Sequence, residues 1–63
     1  MGLFFREHKG SFEESMKTIR KIDDITELGD VIVKEYGYDK RLNSKTKIVL
    51  KNGMPIGFLT EKS

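Results

Sequence analysis

The chain has 63 residues, which is enough for one small domain spanning residues 1–63. A domain of this length buries only about 60% of the surface that its unfolded chain exposes, so its core is small. With no cysteine and one histidine, the composition excludes a disulfide framework and a structural zinc site.

Charge is distributed unevenly along the chain. Residues 1–36 hold six basic and eight acidic side chains, whereas residues 37–63 hold six basic and two acidic ones. A basic segment attracts polyanions, although an excess of lysine on a solvated sheet face also serves solubility. If the protein binds a polyanion, we therefore expect the carboxyl-terminal half to make the contact.

A first strand is predicted from Leu3 to Glu7 by its apolar and aromatic residues, and Gly10 interrupts it. The apolar run is too short for a signal peptide, and Arg6 stands where a myristoylation signal requires Ser or Thr. No stretch approaches the length needed to span a membrane. We therefore expect a cytoplasmic protein without a membrane partner.

Two interpretations fit the segment from Phe12 to Ile22. Apolar residues at helical spacing and the capping pair of Ser11 and Glu14 favour a helix. Residues 16–22 also fit a return strand that pairs with the first strand across Gly10. The residues alone leave both interpretations open.

A helix is predicted from Ile25 to Glu35. Asp24 and Glu27 form a second capping pair, and apolar residues then recur near a helical period. Gly29 and the β-branched run at 31–33 are unfavourable in a helix, so we expect tertiary packing to hold it.

A β-hairpin is predicted near the carboxyl terminus, after an extended segment at 36–41 and a turn at 42–44. Asn52 and Gly53 supply the two positive-φ residues of a type I′ turn. Counting outward from this turn pairs Val49 with Ile56, and Pro55 places the last strand at a sheet edge, at least locally.

This pairing sorts the hairpin side chains into two faces. The face without charges is predicted to be the core side and carries Thr46, Ile48, Leu50, Pro55, Gly57 and Leu59. The other face interleaves lysines with apolar residues. If the lysine stems cover these apolar residues, the face is an ordinary surface; if they do not, it is predicted to contact a protein partner through Val49, Met54, Ile56 and Phe58. The whole pattern predicts an α+β fold, a small antiparallel sheet of three to five strands with one helix packed on a face.

No residue grouping predicts catalysis, a cofactor or a metal. His8 is the one histidine, and it has no evident acid or base partner along the chain. The acidic residues near the predicted helix do not follow an EF-hand plan, and capping explains them better: Asp23, Asp24, Glu27 and Asp30. No glycine-rich phosphate motif is present. We therefore expect a protein that is not an enzyme and that binds no cofactor.

A cluster of basic and aromatic residues occupies residues 36–51. Single-stranded nucleic acid is held by cations with aromatic rings between them, and this segment holds both kinds of side chain. No established nucleic-acid motif accompanies them. The candidate nucleic-acid contacts are Tyr36, Tyr38, Lys40, Arg41, Lys45, Lys47 and Lys51.

Three blocks of the sequence resemble short uncharacterised proteins encoded by phages and prophages of bacteria. The blocks are FREHKGSFEESMKT at 5–18, YGYDKR at 36–41 and GMPIGF at 53–58. The resemblance implies a bacterial-virus setting, and hence the host cytoplasm, and it assigns no catalytic residue. It also implies a hairpin-like unit over residues 5–18, for which reason we favour the strand after Phe12.

Two functions follow as hypotheses. The first is a non-enzymatic protein–protein interaction module, or a self-associating subunit, that uses the second face of the hairpin. The alternative is a nucleic-acid-binding protein that uses the basic and aromatic segment at 36–51. Steeply salt-dependent binding distinguishes the alternative from the first hypothesis.

Overall fold

The computed structural model describes residues 2–62, with the side chains of residues 2–61. Five antiparallel strands form one sheet in the order β2-β1-β5-β4-β3. The strands are β1 (Gly2–Glu7), β2 (Arg20–Ile22), β3 (Ile32–Asp39), β4 (Ser44–Lys51) and β5 (Met54–Lys62). Two short helical segments accompany them, α1 (Phe12–Met16) and a 3-10 helix (Ile25–Leu28).

The fold is mostly β, so the predicted α+β fold with one helix packed on a face is wrong. In place of the helix from Ile25 to Glu35, the chain forms the 3-10 helix and then β3. The predicted capping pair is present, but Gly29 ends the helical turn at a φ of 88°. The β-branched residues that follow pair with β4, because such side chains fit a pleated surface better than a helix.

Both interpretations of residues 12–22 are partly right. The Ser11 hydroxyl accepts a hydrogen bond from the Glu14 amide at 3.1 Å and caps α1, as the helical interpretation required. The chain then returns as β2, which pairs antiparallel with β1 through Leu3 and Ile22. Because α1 ends at Met16, the residues that follow are available to form β2.

The predicted hairpin turn is confirmed, since Asn52 and Gly53 have φ values of 53° and 78°. The predicted register is wrong beyond the first two pairs. The pairing shifts between Leu50 and Val49, so Ile56 faces no residue of β4 and Val49 pairs with Gly57. A shift of one residue moves every later side chain to the opposite face.

The two predicted hairpin faces are therefore exchanged along most of β4. Val49, predicted to lie on the interaction surface, is 0% exposed in the core. Ile48 was predicted to be in the core, but it lies opposite Phe58 on the other face and is half-buried. Leu50 shares that face with Ile48 and is also half-buried.

The strand that carries Pro55 is not an edge strand, because β5 lies in the middle of the sheet between β1 and β4. Pairing with β1 ends where Glu7 meets Gly57, so Pro55 lies beyond the end of β1. Its missing N–H therefore removes no hydrogen bond from the sheet, and the strand is unpaired on that side only locally.

The main core lies on one side of the sheet, the first face, and consists of Phe5, Ile22, Leu28, Val49 and Leu59. The 3-10 helix covers this side by inserting Leu28. The Phe5 ring lies against Gly57, where an added Cβ would be 2.4 Å from Phe5 Cζ. The glycine thus makes room for the largest side chain of the core.

The second face of the sheet is covered by α1 and by the turn at 40–43. Arg6 of β1 lies directly opposite Phe58 of β5, which in turn lies opposite Ile48 of β4. Thr46 and Thr60 also form a pair on this face, and each is 1% exposed. The part of this face near Ile48 has no covering helix, so the second face is partly open to solvent.

Candidate nucleic-acid interface

Arg6 joins four elements on the second face. Its side chain is 8% exposed, and its guanidinium carbon lies 5.1 Å from the centre of the Phe12 ring and 4.7 Å from that of Phe58. Nη1 donates to the Ser15 hydroxyl at 2.9 Å, and Nη2 donates to Asp39 Oδ2 at 3.4 Å. A planar guanidinium stacks on rings and donates in its plane at the same time, so it holds β1, α1, β3 and β5 together.

Ring and guanidinium contacts extend in both directions from Arg6. On one side, the Phe58 ring contacts Tyr36 with centroids 5.2 Å apart and His8 with centroids 5.7 Å apart. On the other side, the Arg41 guanidinium lies 4.5 Å from the centre of the Phe12 ring. Tyr36 is 64% exposed, and Arg41 is also exposed, so both ends of this row are available to a ligand.

A bulge in β3 directs Tyr36 to the second face. The pairing of β3 with β4 shifts between Glu35 and Gly37, so Tyr36 has no partner in β4. Bulges bend a strand and change the direction of a side chain. Here the bulge brings the Tyr36 ring against Phe58 while leaving most of the ring in solvent.

A cleft of about 380 Å³ lies beside this bulge at the β3–β4 end of the sheet. Gly37 and Thr46, which pair across the two strands, both line it. An added Cβ on Gly37 would meet no atom within 4 Å apart from those of its two chain neighbours, so the glycine leaves space there. The complete lining is Tyr36, Gly37, Tyr38, Asp39, Lys40, Arg41 and Thr46.

A second cleft of about 300 Å³ adjoins the first and shares Tyr36 and Asp39 with it. Its other lining residues include Arg6, His8, Lys9, Phe12 and Phe58. The two clefts therefore adjoin at Tyr36 and Asp39, and together they are called the track; aromatic and cationic groups line both parts.

Two of the four cations that line the track have no ion-pair partner within the described part of the chain. Among the side chains that the structure describes, the ion pairs are Arg6 with Asp39 and Lys9 with Glu7. No described carboxylate lies within 4.0 Å of the charged nitrogens of Lys40 or Arg41, which line the first cleft. The β3–β4 end of the sheet is therefore suited to an anionic ligand.

The structure brings together four of the seven predicted nucleic-acid residues, since Tyr36, Tyr38, Lys40 and Arg41 line one cleft. The Tyr38 hydroxyl donates to the Asn43 side-chain carbonyl across the turn. Lys45 pairs with Tyr38, and Lys47 pairs with Glu35, both on the first face. Lys51 lies beside the hairpin turn at the other end of β4, so it is separated from the cluster.

The four predicted protein-interaction residues do not form one surface. Val49 is in the core, and Ile56 is half-buried and packs against the core. Met54 is 66% exposed beside the hairpin turn, whereas Phe58 is half-buried on the second face.

Several residues of the track were not identified from the sequence. Arg6, His8 and Phe12 were not predicted contacts, although they contribute to the second cleft. A signal was present in β1 and the residue after it, where Phe4, Arg6 and His8 alternate with Leu3, Phe5 and Glu7. Side chains alternate between the two faces of a strand, so Arg6 lies on the face opposite Leu3 and Phe5. A basic residue at that position indicates that polar groups pack on the second face of the sheet.

Other classes of site were sought in the same part of the chain. Residues 2–62 contain no group of three or more His, Cys, Asp or Glu side chains that could hold a metal ion. Neither described helical segment has the length and apolar character required to span a bilayer. Comparisons with protein-family models, curated proteins and solved structures found no match to this chain.

Proposed function

We propose that the protein binds single-stranded nucleic acid along the track formed by the two clefts. The observation that carries this proposal is the position of Tyr36, an exposed ring between the clefts with unbalanced cations beside it. Aromatic rings stack on unpaired bases, and cations contact the phosphates that connect them.

Stacking and charge make different contributions to this binding. Stacking on a ring such as Tyr36 contributes roughly 1–3 kcal/mol per base and tolerates any base. Contacts of Lys40 and Arg41 with phosphates release counterions, which makes the affinity fall as salt increases. A duplex keeps its base faces covered, so the protein is expected to prefer single strands.

Fluorescence anisotropy with a labelled oligothymidine of about 12 nucleotides, a length within known site sizes, tests this proposal. Tyr36→Ala is expected to weaken binding about tenfold, because it removes one stacking surface. Arg41→Ala is expected to weaken binding and to lower the slope of log affinity against log salt by about one. The matched control is Lys21→Ala, since Lys21 lies on β2 at the far edge of the sheet.

Three results would contradict the proposal. One is an absence of binding at low salt, and another is an affinity that does not change with salt. The third is equal weakening by the Lys21 and Arg41 substitutions, which would indicate attraction to net charge rather than to this track. Circular dichroism of each variant checks that its fold is retained.

A second candidate function is self-association, and a specific feature favours it. Ile32 is 62% exposed at the start of β3, and it shares the uncovered part of the second face with Leu50, Ile48 and Pro55. Because β3 is an edge strand, two copies can pair through its free backbone and join their apolar patches. The proposed occupant of this patch is therefore a second copy of the chain.

Light scattering coupled to size-exclusion chromatography tests this candidate. If the chain self-associates, Ile32→Glu is expected to yield a monomer, whereas Met54→Glu, an equally exposed position beside the hairpin turn, leaves the assembly intact. A wild-type chain that remains monomeric at high concentration would exclude self-association.

We further propose that the protein acts by binding rather than catalysis, in the cytoplasm of a bacterium that carries a phage or prophage. The support for this setting is the resemblance of the blocks at 5–18, 36–41 and 53–58.

A further inference from the structure

We infer that the cleft beside Gly37 accepts one unstacked base of the bound strand and prefers guanine. This inference rests on the proposed function and adds to it a preference for one base. It depends on the space over Gly37, the fixed carboxylate of Asp39 and the exposed ring of Tyr36.

Gly37 leaves space for a base, because it has no side chain and lies in the chain between Tyr36 and Asp39. Tyr36 and Asp39 line the same cleft as Gly37, and no atom other than those of its two chain neighbours lies within 4 Å of a Cβ added to Gly37. A glycine inside a strand often marks a place where a ligand comes close to the backbone. A flat ring placed there has Tyr36 as its stacking surface.

Asp39 supplies a carboxylate in a fixed position. Its side chain is 20% exposed, Oδ2 accepts from Arg6 Nη2 at 3.4 Å, and Oδ1 accepts from the Arg41 amide at 2.9 Å. Each carboxylate oxygen has a further lone pair that can accept a hydrogen bond from a ligand. Arg6 balances the negative charge, so the carboxylate is compatible with a neighbouring phosphate.

Guanine is the base that fits a carboxylate best. Its Watson–Crick edge presents two adjacent donors, N1–H and the 2-amino group, which match the two oxygens of a carboxylate. Adenine and cytosine place a ring acceptor beside their amino group, and thymine places carbonyls beside its one N–H. Unstacked bases are read along such edges, and a good bidentate pair gives roughly 1–3 kcal/mol of discrimination.

Oligothymidines of about 12 nucleotides, with a central guanine, adenine, cytosine or thymine, test the inference in an anisotropy titration. The guanine strand is expected to bind about tenfold more tightly than the other three, within the range of one bidentate contact. Guanosine monophosphate is titrated in parallel, because it distinguishes a free nucleotide from a base within a strand. It is expected to bind much more weakly, since it lacks the neighbouring phosphates.

The key variant is Asp39→Asn, which places an amide where guanine requires two acceptors and is expected to abolish the preference for guanine. Asp30→Asn is the matched control, since it makes the same acid-to-amide change at an exposed carboxylate that lines neither cleft. This control is expected to retain the preference. Should Asp39→Asn fail to fold, amide chemical shifts of the wild-type chain provide the second test. The guanine strand is then expected to shift Gly37 and Arg41 more than the thymine strand does.

The outcomes separate this inference from the function on which it rests. Equal binding of all four strands overturns the guanine preference and leaves single-strand binding in place, whereas binding of none overturns both. A preference that survives Asp39→Asn, or equal amide shifts with both strands, also overturns the inference. If guanosine monophosphate binds as tightly as the guanine strand, guanine recognition stands and the strand-binding function is contradicted.

Discussion

Replacement of Arg6 by alanine is expected to destabilise the protein severely, because this side chain connects β1 to α1 and to the distant strand β3. The substitution removes a guanidinium that lies over the Phe12 and Phe58 rings, at 5.1 Å and 4.7 Å from their centres. It also removes a buried hydrogen bond of 2.9 Å to the Ser15 hydroxyl.

The expected magnitude follows from these contacts. A hydrogen bond to a charged group contributes roughly 1.5–3 kcal/mol, and the two cation–π contacts together contribute roughly 1–2 kcal/mol, since both rings are only half-buried. The ion pair with Asp39 contributes little more, roughly 0–1 kcal/mol, because it is long and partly exposed. We therefore expect a loss of about 3–5 kcal/mol, which is similar to the loss when one partner of a buried pair is removed.

That loss is comparable to the entire stability of a domain of this size, which is roughly 3–9 kcal/mol. The chain contains no tryptophan, so urea unfolding is followed by far-UV circular dichroism. Arg20→Ala is the matched control, because its guanidinium also lies over a ring, that of Phe5 at 5.5 Å, but Arg20 is exposed. A loss below about 1 kcal/mol for Arg6→Ala, or equal losses for both variants, would refute this account of Arg6.

Two further substitutions test the packing of the first face. Val49→Ala is expected to lower the free energy of unfolding in urea by about 2 kcal/mol, since Val49 is 0% exposed. Met54→Ala is expected to change it by less than about 0.5 kcal/mol, since Met54 is 66% exposed. The reverse order would support the strand register that was predicted by counting from the turn. Gly57→Ala is expected to cost about 2 kcal/mol or more, because its Cβ would lie 2.4 Å from Phe5 Cζ. Gly10→Ala, with no atom within 4 Å of the added Cβ, is the control, and similar losses at both glycines would contradict the close packing at Gly57.

The candidate site was only partly predictable from the sequence. Tyr36, Tyr38, Lys40 and Arg41 are close in the chain, so composition alone was sufficient to group them, and the structure places all four around one cleft. Arg6 and the other contributors from β1 and α1 are about 30 residues away in the chain, and only the pairing of β1 with β5 brings them to the same track.

Local signals in the sequence determined the features that depend on neighbouring residues. The Asn52-Gly53 turn and the capping of α1 by Ser11 form as predicted, because each is a contact between residues at most three apart. The order of the strands, the conversion of residues 32–35 from a predicted helix into β3, and the bulge at Ile56 depended on pairing between distant segments. A strand has a side-chain period of two, so that one unpaired residue decided which face each later side chain occupies. Only the tertiary structure could place Val49 in the core and Phe58 beside Arg6.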